Sequence, residues 1–274
     1  MQKIPIHKSS QISNCGIHIQ SVTQKTEIQP KTYSHADEYY TFGIINEGEC
    51  LLNIDFKDCR FGSGDMVIIR AGQVHRFVHC SGLSAYMLAI DEIFLNDMEK
   101  QTLERNAGQG LHLPDMTEIR QLYSLLAGKA ETQLAGKTVM LRYALLIVAL
   151  VIEHIAARPE TSMTHTRHEQ IVWIFRKLLK DNIRSCRLPS FYAERMHISV
   201  AYLNEAVKAV TGKSTAAFIR DEIILAAKRQ LAYTDSSVKE IAHGLGFDDY
   251  SYFTRLFTKA TGDSPTDFRK IYRE

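Results

Sequence analysis

The feature that most constrains this chain is a near-repeat in its C-terminal third. One copy runs from Phe191-Tyr192-Ala193 through Ser199, Tyr202 and Leu203 to Thr211-Gly212; the other runs from Val238 through Ala242, Gly246-Phe247, Tyr252 and Phe253 to Thr261-Gly262. Each copy reads as a short helix with a small residue in it, a tight turn, and a second helix closing on Thr-Gly. A small residue at Ala193 or Ala242 lets the two helices cross closely, and a glycine just past a helix takes the left-handed conformation that closes it. Leu203 with Val207, and Phe253 with Phe257, stand four residues apart, so each second helix has an apolar underside and a face left free. That pattern predicts a helix-turn-helix, whose second helix enters the major groove of DNA. Between the copies, Phe218, Ile219, Ile223, Ala226, Ala227 and Leu231 recur at helical spacing. A rigid spacer of this kind would hold two reading helices about 34 Å apart, one turn of the duplex.

Charge supports a polyanionic partner for this part of the chain. The net charge of the 274 residues is only +2, but Thr164 to Glu274 holds 18 Lys and Arg against 13 Asp and Glu, giving +5, which leaves −3 for the rest. Cationic side chains gain by displacing counterions from phosphates. The five cysteines (Cys15, Cys50, Cys59, Cys80, Cys186) form no CxxC pair, and Met1 to Ser10 lacks the apolar run of a signal peptide. The longest apolar run, Tyr143 to Ile152, is bounded by Arg142 and Glu153 and is about half the length of a membrane span. The expectation is a reducing, cytoplasmic location and no membrane.

Upstream, the texture changes twice. Tyr40 to Asn46, Cys50 to Phe56 and Met66 to Arg70 read as strands, separated by turn signals at Glu47-Gly48-Glu49, Gly62 to Asp65 and Ala71-Gly72, a spacing that suits a small barrel or sandwich. From about Glu92 to Ala157 the pattern turns helical, with Pro114 separating segments and Pro159 ending the last. Arg158 to Thr166 is polar and aperiodic, which places a boundary there and predicts domains 1–163 and 164–274.

From Glu169 to Tyr272 the chain resembles the AraC/XylS family of bacterial regulators. The signature lies in Ala227-Lys228-Arg229-Gln230-Leu231, Ile241-Ala242, Gly246-Phe247, Tyr252 to Phe257 and Gly262-Asp263-Ser264-Pro265. The resemblance implies two helix-turn-helix subdomains reading adjacent major-groove segments of promoter DNA, with RNA polymerase as a further partner; an activator is the first expectation, and whether transcription goes up or down stays open. Carried over residue by residue, it places Ala201, Asn204 and Glu205 on the base-facing side of the first reading helix, and Tyr250, Ser251, Thr254 and Arg255 on that of the second. Lys208 and Lys259 fall where side chains reach phosphate. Glu205 and Val207 depart from the family's habits, which puts base readout by the first copy in question.

The N-terminal half resembles the small cupin-like barrel carried by many members of that family. Gly64 to His75 matches the second cupin motif, with Arg70 at a usual proline; in the first, His35-Ala36-Asp37 replaces a His-x-His pair and Thr41 takes the glutamate position, while Gly48 is present. The fold expected is therefore α+β and multidomain: a cupin-like barrel with a helical dimerisation layer from about residue 92, then an all-α double helix-turn-helix. A small-molecule effector is expected near His35, Tyr39, Arg70 and His75, where Arg70 would favour a carboxylate or phosphate. No metal and no cofactor are expected, since only His35, Asp37 and His75 remain of a ligand set. A cupin enzyme is the alternative class, but Thr41 and Asp37 break its ligand set, and no nucleophile elbow, phosphate loop or HExxH is present. A barrel that only dimerises remains open beside the effector reading.

The segment from Lys137 to Ala157 carries two apolar stripes. Leu141, Leu145, Val148, Ile152 and Ile155 form a heptad-like seam, and Met140, Ala144, Ile147 and Val151 form a second face beside it. The second face would cover the barrel, and the seam, with Leu141, Leu145, Val148 and Ile152, would pair with the same helix of a second subunit, giving a homodimer.

Overall fold

The computed structural model describes residues 6–8, 16–23, 33–112, 115–131, 136–158 and 166–273. The chain divides into two compact units, one ending at Thr161 and one running from Ser162 to Glu274. Pro114, Pro159 and most of the polar stretch expected to mark the boundary lie outside the described residues.

The first unit is a sheet covered on one face by helices. Strands β1 (Ile6–His7), β2 (Ile17–Thr23), β3 (Ala36–Asp37), β4 (Tyr39–Ile54), β5 (Lys57–Gly62), β6 (Asp65–Ile69), β7 (His75–Asp91) and β8 (Gly110–His112) precede or flank three helices. Six of them form one sheet in the order β2-β7-β4-β6-β8 with β5 on β4, while β1 and β3 form a separate parallel pair. Among the described residues this pairing is an open path and does not close into a ring. The two long strands bend at register shifts between Ile45 and Glu47, Glu47 and Glu49, and Leu51 and Leu52. Glu47-Gly48-Glu49, read from sequence as a turn, is such an irregularity inside continuous β4: Gly48 has φ +76°, and a Cβ there would collide with the Gly82 backbone.

Side-chain alternation along the strands separates two cores. Met66 and Ile68, with Tyr40, Phe42 and Ile44, face the helices, whereas Val67 and Ile69 join Leu52, Phe61 and Leu83 in a core made of strands alone. Helix α1 (Asp97–Asn106) starts on an Asn96 and Glu99 capping box. Helices α2 (Thr117–Glu131) and α3 (Lys137–Ala156) contribute Ile119, Tyr123, Leu126, Ala144, Ile147 and Val151 to the helix-facing core. The Tyr123 hydroxyl, fully buried, donates to Phe42 O at 2.9 Å.

One expectation about α3 needs correction. Val148 and Ile155 were assigned to an outward seam, yet they are 0% and 1% exposed and belong to the core of their own subunit, so the seam is interrupted. By length and composition α3 is also apolar enough to cross a membrane, because the helix begins at Lys137, before the uninterrupted apolar run; its buried stripe packs on the sheet.

The second unit is all helical: α4 (Arg167–Asn182), α5 (Pro189–Arg195), α6 (Val200–Thr211), α7 (Thr215–Tyr233), α8 (Val238–Gly244), α9 (Tyr250–Thr261) and α10 (Pro265–Arg273). Every start has a local cause. Thr166 and Ser237 form capping boxes with Glu169 and Glu240, Ser199 and Ser214 cap α6 and α7, and Pro189 occupies the first turn of α5. Both α6 and α9 end on a left-handed glycine, Gly212 and Gly262. The 19-residue α7 is about 28 Å long at 1.5 Å per residue. It touches α6, α8, α9 and α10, so it ties the two repeats together.

Candidate nucleic-acid interface

The two repeats form the same unit from different turn chemistry. In the first, α5 and α6 are joined through the four residues Met196 to Ser199, with His197 at φ +54°; in the second, α8 and α9 are joined through the five residues Leu245 to Asp249, with Gly246 at φ +79°. The amide of Ile198 donates to Ala193 O, and that of Phe247 to Ala242 O, so each small residue sits at the crossing and is 1% exposed. A Cβ at Gly246 would meet Arg184 O, which explains glycine there. The second turn is one residue longer, so first helices correspond at an offset of 49 and reading helices at an offset of 50.

Beneath the reading helices the packing is tight. Leu203, Ala206 and Val207 under α6 and Phe253 and Phe257 under α9 are all 0% exposed. Phe257 meets Phe268 edge-on at 5.5 Å, and Phe253 meets Phe247 at 5.2 Å. Arg187 fixes the second turn from outside: its guanidinium lies 4.0 Å over the Phe247 ring and donates to Gly246 O at 2.7 Å. Arg269 donates to Leu231 O and Ser236 O, closing the link between α7 and α8.

The outer faces carry most of the residues expected there. On α9, Tyr250, Ser251, Arg255 and Lys259 are exposed, and Arg255 stands 4.0 Å from the Asp249 carboxylate, whose other oxygen caps the helix at Ser251 N. Thr254 is half-buried and its hydroxyl donates to Tyr250 O, so its hydrogen is already engaged. On α6, Ala201, Glu205 and Lys208 are exposed, with Glu205 3.7 Å from His168. Asn204 departs from the base-facing assignment: its Oδ1 accepts from Thr215 N at 3.0 Å, holding the first turn of α7. Sequence comparison overlooked Val200, which is 44% exposed and corresponds to Tyr250 at the offset of 50. The signal was the offset of 50 that already pairs Tyr202 with Tyr252 and Leu203 with Phe253.

In the sheet unit, the residues expected to hold an effector divide between the two faces. His35, Tyr39 and His75 are buried together with Asp37; the His35 and His75 rings are 4.3 Å apart, and Tyr39 bonds to Asp37. Burial first, then the Asp37 charge, raises the Tyr39 phenol above its ordinary value. Arg70 does not join them. It follows Ile69 at the end of β6, and its charge acts on Tyr40, whose hydroxyl points to Glu104 on the helix-covered face. His7 joins the cluster unforeseen: its Nδ1 lies 2.9 Å from Asp37 Oδ1 because β1 pairs with β3.

Comparison with known proteins is consistent with this division. A family model described as a helix-turn-helix domain matches residues 192–271, and one described as an AraC-like ligand binding domain matches residues 23–142. A Bacillus subtilis protein described as an uncharacterized HTH-type transcriptional regulator, YfiF, is 36% identical over 96 residues, 35% of this chain and 30% of that protein. The HTH-type transcriptional activator RhaR of Yersinia pestis is 22% identical over 246 residues, 87% of this chain and 84% of that protein. Among solved structures, ToxT from Vibrio cholerae is 11% identical with a TM-score of 0.47, covering 94% of this chain and 98% of that chain.

Proposed function

Since the chain belongs to the AraC/XylS family of transcription regulators, we propose that α6 and α9 enter successive major-groove segments of a promoter and that a ligand in the sheet unit controls the outcome. The observation that carries this reading is the pair of capped helices whose undersides are sealed by Leu203, Val207, Phe253 and Phe257 while their outer faces stay open. In α9 the open face bears Tyr250, Ser251, Arg255 and Lys259; in α6 it bears Val200, Ala201, Glu205 and Lys208. Arg255 is the group suited to direct readout, because a guanidinium pairs bidentately with guanine O6 and N7. Glu205 can accept from a cytosine amino group, and Lys208 and Lys259 serve phosphates.

The cupin-like character of the sheet unit, a barrel in the wider sense of a bent double-sided sheet, belongs to this proposal. So does a homodimer through α3, at the exposed Leu146 and the half-buried Leu141, Leu145 and Ile152, which also pack on the core of their own unit. The effector site is placed at His35, Tyr39 and His75, without Arg70. RNA polymerase as partner and activation as mode follow from the family, and RhaR is itself described as an activator. Selection of binding sites from a random duplex pool tests the core of this reading. The full chain is expected to enrich a defined sequence at physiological salt, and a pool that remains random after repeated rounds would overturn it.

A further inference from the structure

The strand-only core of the sheet unit holds a pair of thiols that belongs neither to the DNA face nor to the effector position. Cys50 on β4 and Cys80 on β7 stand directly opposite one another in the antiparallel ladder, flanked by Glu49 opposite Ser81 and Leu51 opposite His79. Cys50 is 4% exposed, and Cys80 is half-buried and packs against the same core. Register shifts between Glu47 and Glu49 and between Leu51 and Leu52 bound the pair on both sides, so it sits in a short regular stretch between two bends.

Residues directly opposite one another in an antiparallel pair share a face of the sheet and hold their Cα atoms about 4.5–5.5 Å apart. Disulfides span Cα separations of about 4.4–6.8 Å, so a bond between these two sulfurs is within reach of the strands as they lie. The thiols also sense one another: burial, and after it the charge of Cys80, pushes the Cys50 thiol up to about 12. Burial raises Cys80 as well. Both are therefore protonated at neutral pH, and the more accessible Cys80 is the one placed to begin an exchange. Cys59 on β5 packs against the same core but stands opposite Leu52, and its Sγ lies 3.6 Å from Gly108 O and 3.7 Å from Lys57 O.

We propose that Cys50 and Cys80 form a reversible oxidation site, closing to an intrachain disulfide by exchange with a small disulfide of the glutathione class. Cys80 loses its proton to solvent, and its thiolate attacks one sulfur of the oxidised reagent. That step forms a mixed disulfide and expels one glutathione thiolate, which takes up a proton. Cys50 then gives up its proton, attacks Cys80 Sγ and expels the second glutathione. Two protein thiols are oxidised by two electrons, and one small disulfide is reduced to two thiols. In the second step Cys80 is neutral, so its charge no longer opposes ionisation of Cys50. The closed bond encloses β5 and β6 in one loop and pins β4 to β7 between the two bends. Excess small thiol reverses both steps. The site goes beyond DNA recognition and involves none of His35, Tyr39 and His75.

Equilibration of the folded, full-length chain in buffers of reduced and oxidised glutathione tests the site, with linkages mapped by mass spectrometry after alkylation and digestion without reductant. In oxidised glutathione the wild type is expected to give a peptide pair joining Cys50 to Cys80 as its dominant intrachain linkage, and to lose it in excess reduced glutathione. Cys59→Ser is expected to leave that linkage unchanged. Cys50→Ser, which removes the resolving thiol, is expected to accumulate the mixed disulfide on Cys80 at least tenfold above wild type. Melting curves identify any variant that fails to fold, and the wild-type map then decides. The same treatment in denaturant supplies the linkage pattern of an unfolded chain. A native map without the Cys50 to Cys80 linkage, one in which either residue is joined chiefly to Cys15, Cys59 or Cys186, or one no different from the denatured pattern overturns the proposal.

Discussion

At the scale of single residues, Arg255 on α9 and Asn204 on α6 make opposite predictions. Arg255 is 70% exposed on the face away from Phe257, so Arg255→Ala is expected to cost about 1–3 kcal/mol of discrimination at one base pair in binding assays at fixed salt. Unchanged preference would remove it from the reading face. Asn204 is committed to Thr215 N, so Asn204→Ala is expected to lower stability by about 1 kcal/mol in thermal unfolding while leaving sequence preference intact. Altered preference with unchanged stability would restore it to the bases. Sequence alone could not separate these two, because a motif alignment gives the face of a helix but not what a side chain on it already bonds. The same limit explains Arg70: strand alternation puts it opposite His35 and Tyr39, and that alternation is legible only once the start and register of β6 are known. His7 was beyond reach, since nothing local to Ile6–His7 announces its pairing with Ala36–Asp37.

At the scale of elements, the helices of the second unit were the most legible part of the chain, because their caps are written locally. Ser237 and Glu240 illustrate this: the Glu240 carboxylate accepts from Ser237 N at 2.6 Å, and those bonds hold its pKa below the ordinary carboxylate value. A depressed folded value means the stabilisation is complete above the unfolded value and is lost as pH falls through the folded one. Glu240→Gln is therefore expected to melt lower than wild type at neutral pH, with the gap closing on acidification; a gap that persists in acid would assign the effect to something other than the cap. The strands were less legible. Glu47-Gly48-Glu49 has turn composition, but Gly48 serves a bulge where β4 and β7 approach too closely for a Cβ. For α3 the two stripes were visible, but which one faces the sheet depends on the long-range contacts of Val148 and Ile155.

At the scale of the whole molecule, the outer face of α3 decides how many copies act together. Leu146 is 48% exposed beside Leu145, so Leu146→Glu is expected to convert a micromolar dimer to monomer in sedimentation without loss of fold. Val148→Glu would instead place a charge in the core and unfold the unit. A wild type already monomeric at that concentration would remove the dimer from the account, though not DNA binding. Paired chains would place four reading helices on one operator and raise affinity through effective concentration. The central claim is narrower: both helix-turn-helix units of one chain read DNA, tied by α7 and by Arg187 against the second turn. Methylation interference on a selected operator tests it most directly, because it reports major-groove guanines. Two blocks of interference about 10 base pairs apart are expected for each chain, with Arg255→Ala erasing only the block under α9. A single block in the wild type, or two blocks both unaffected by Arg255→Ala, would contradict it.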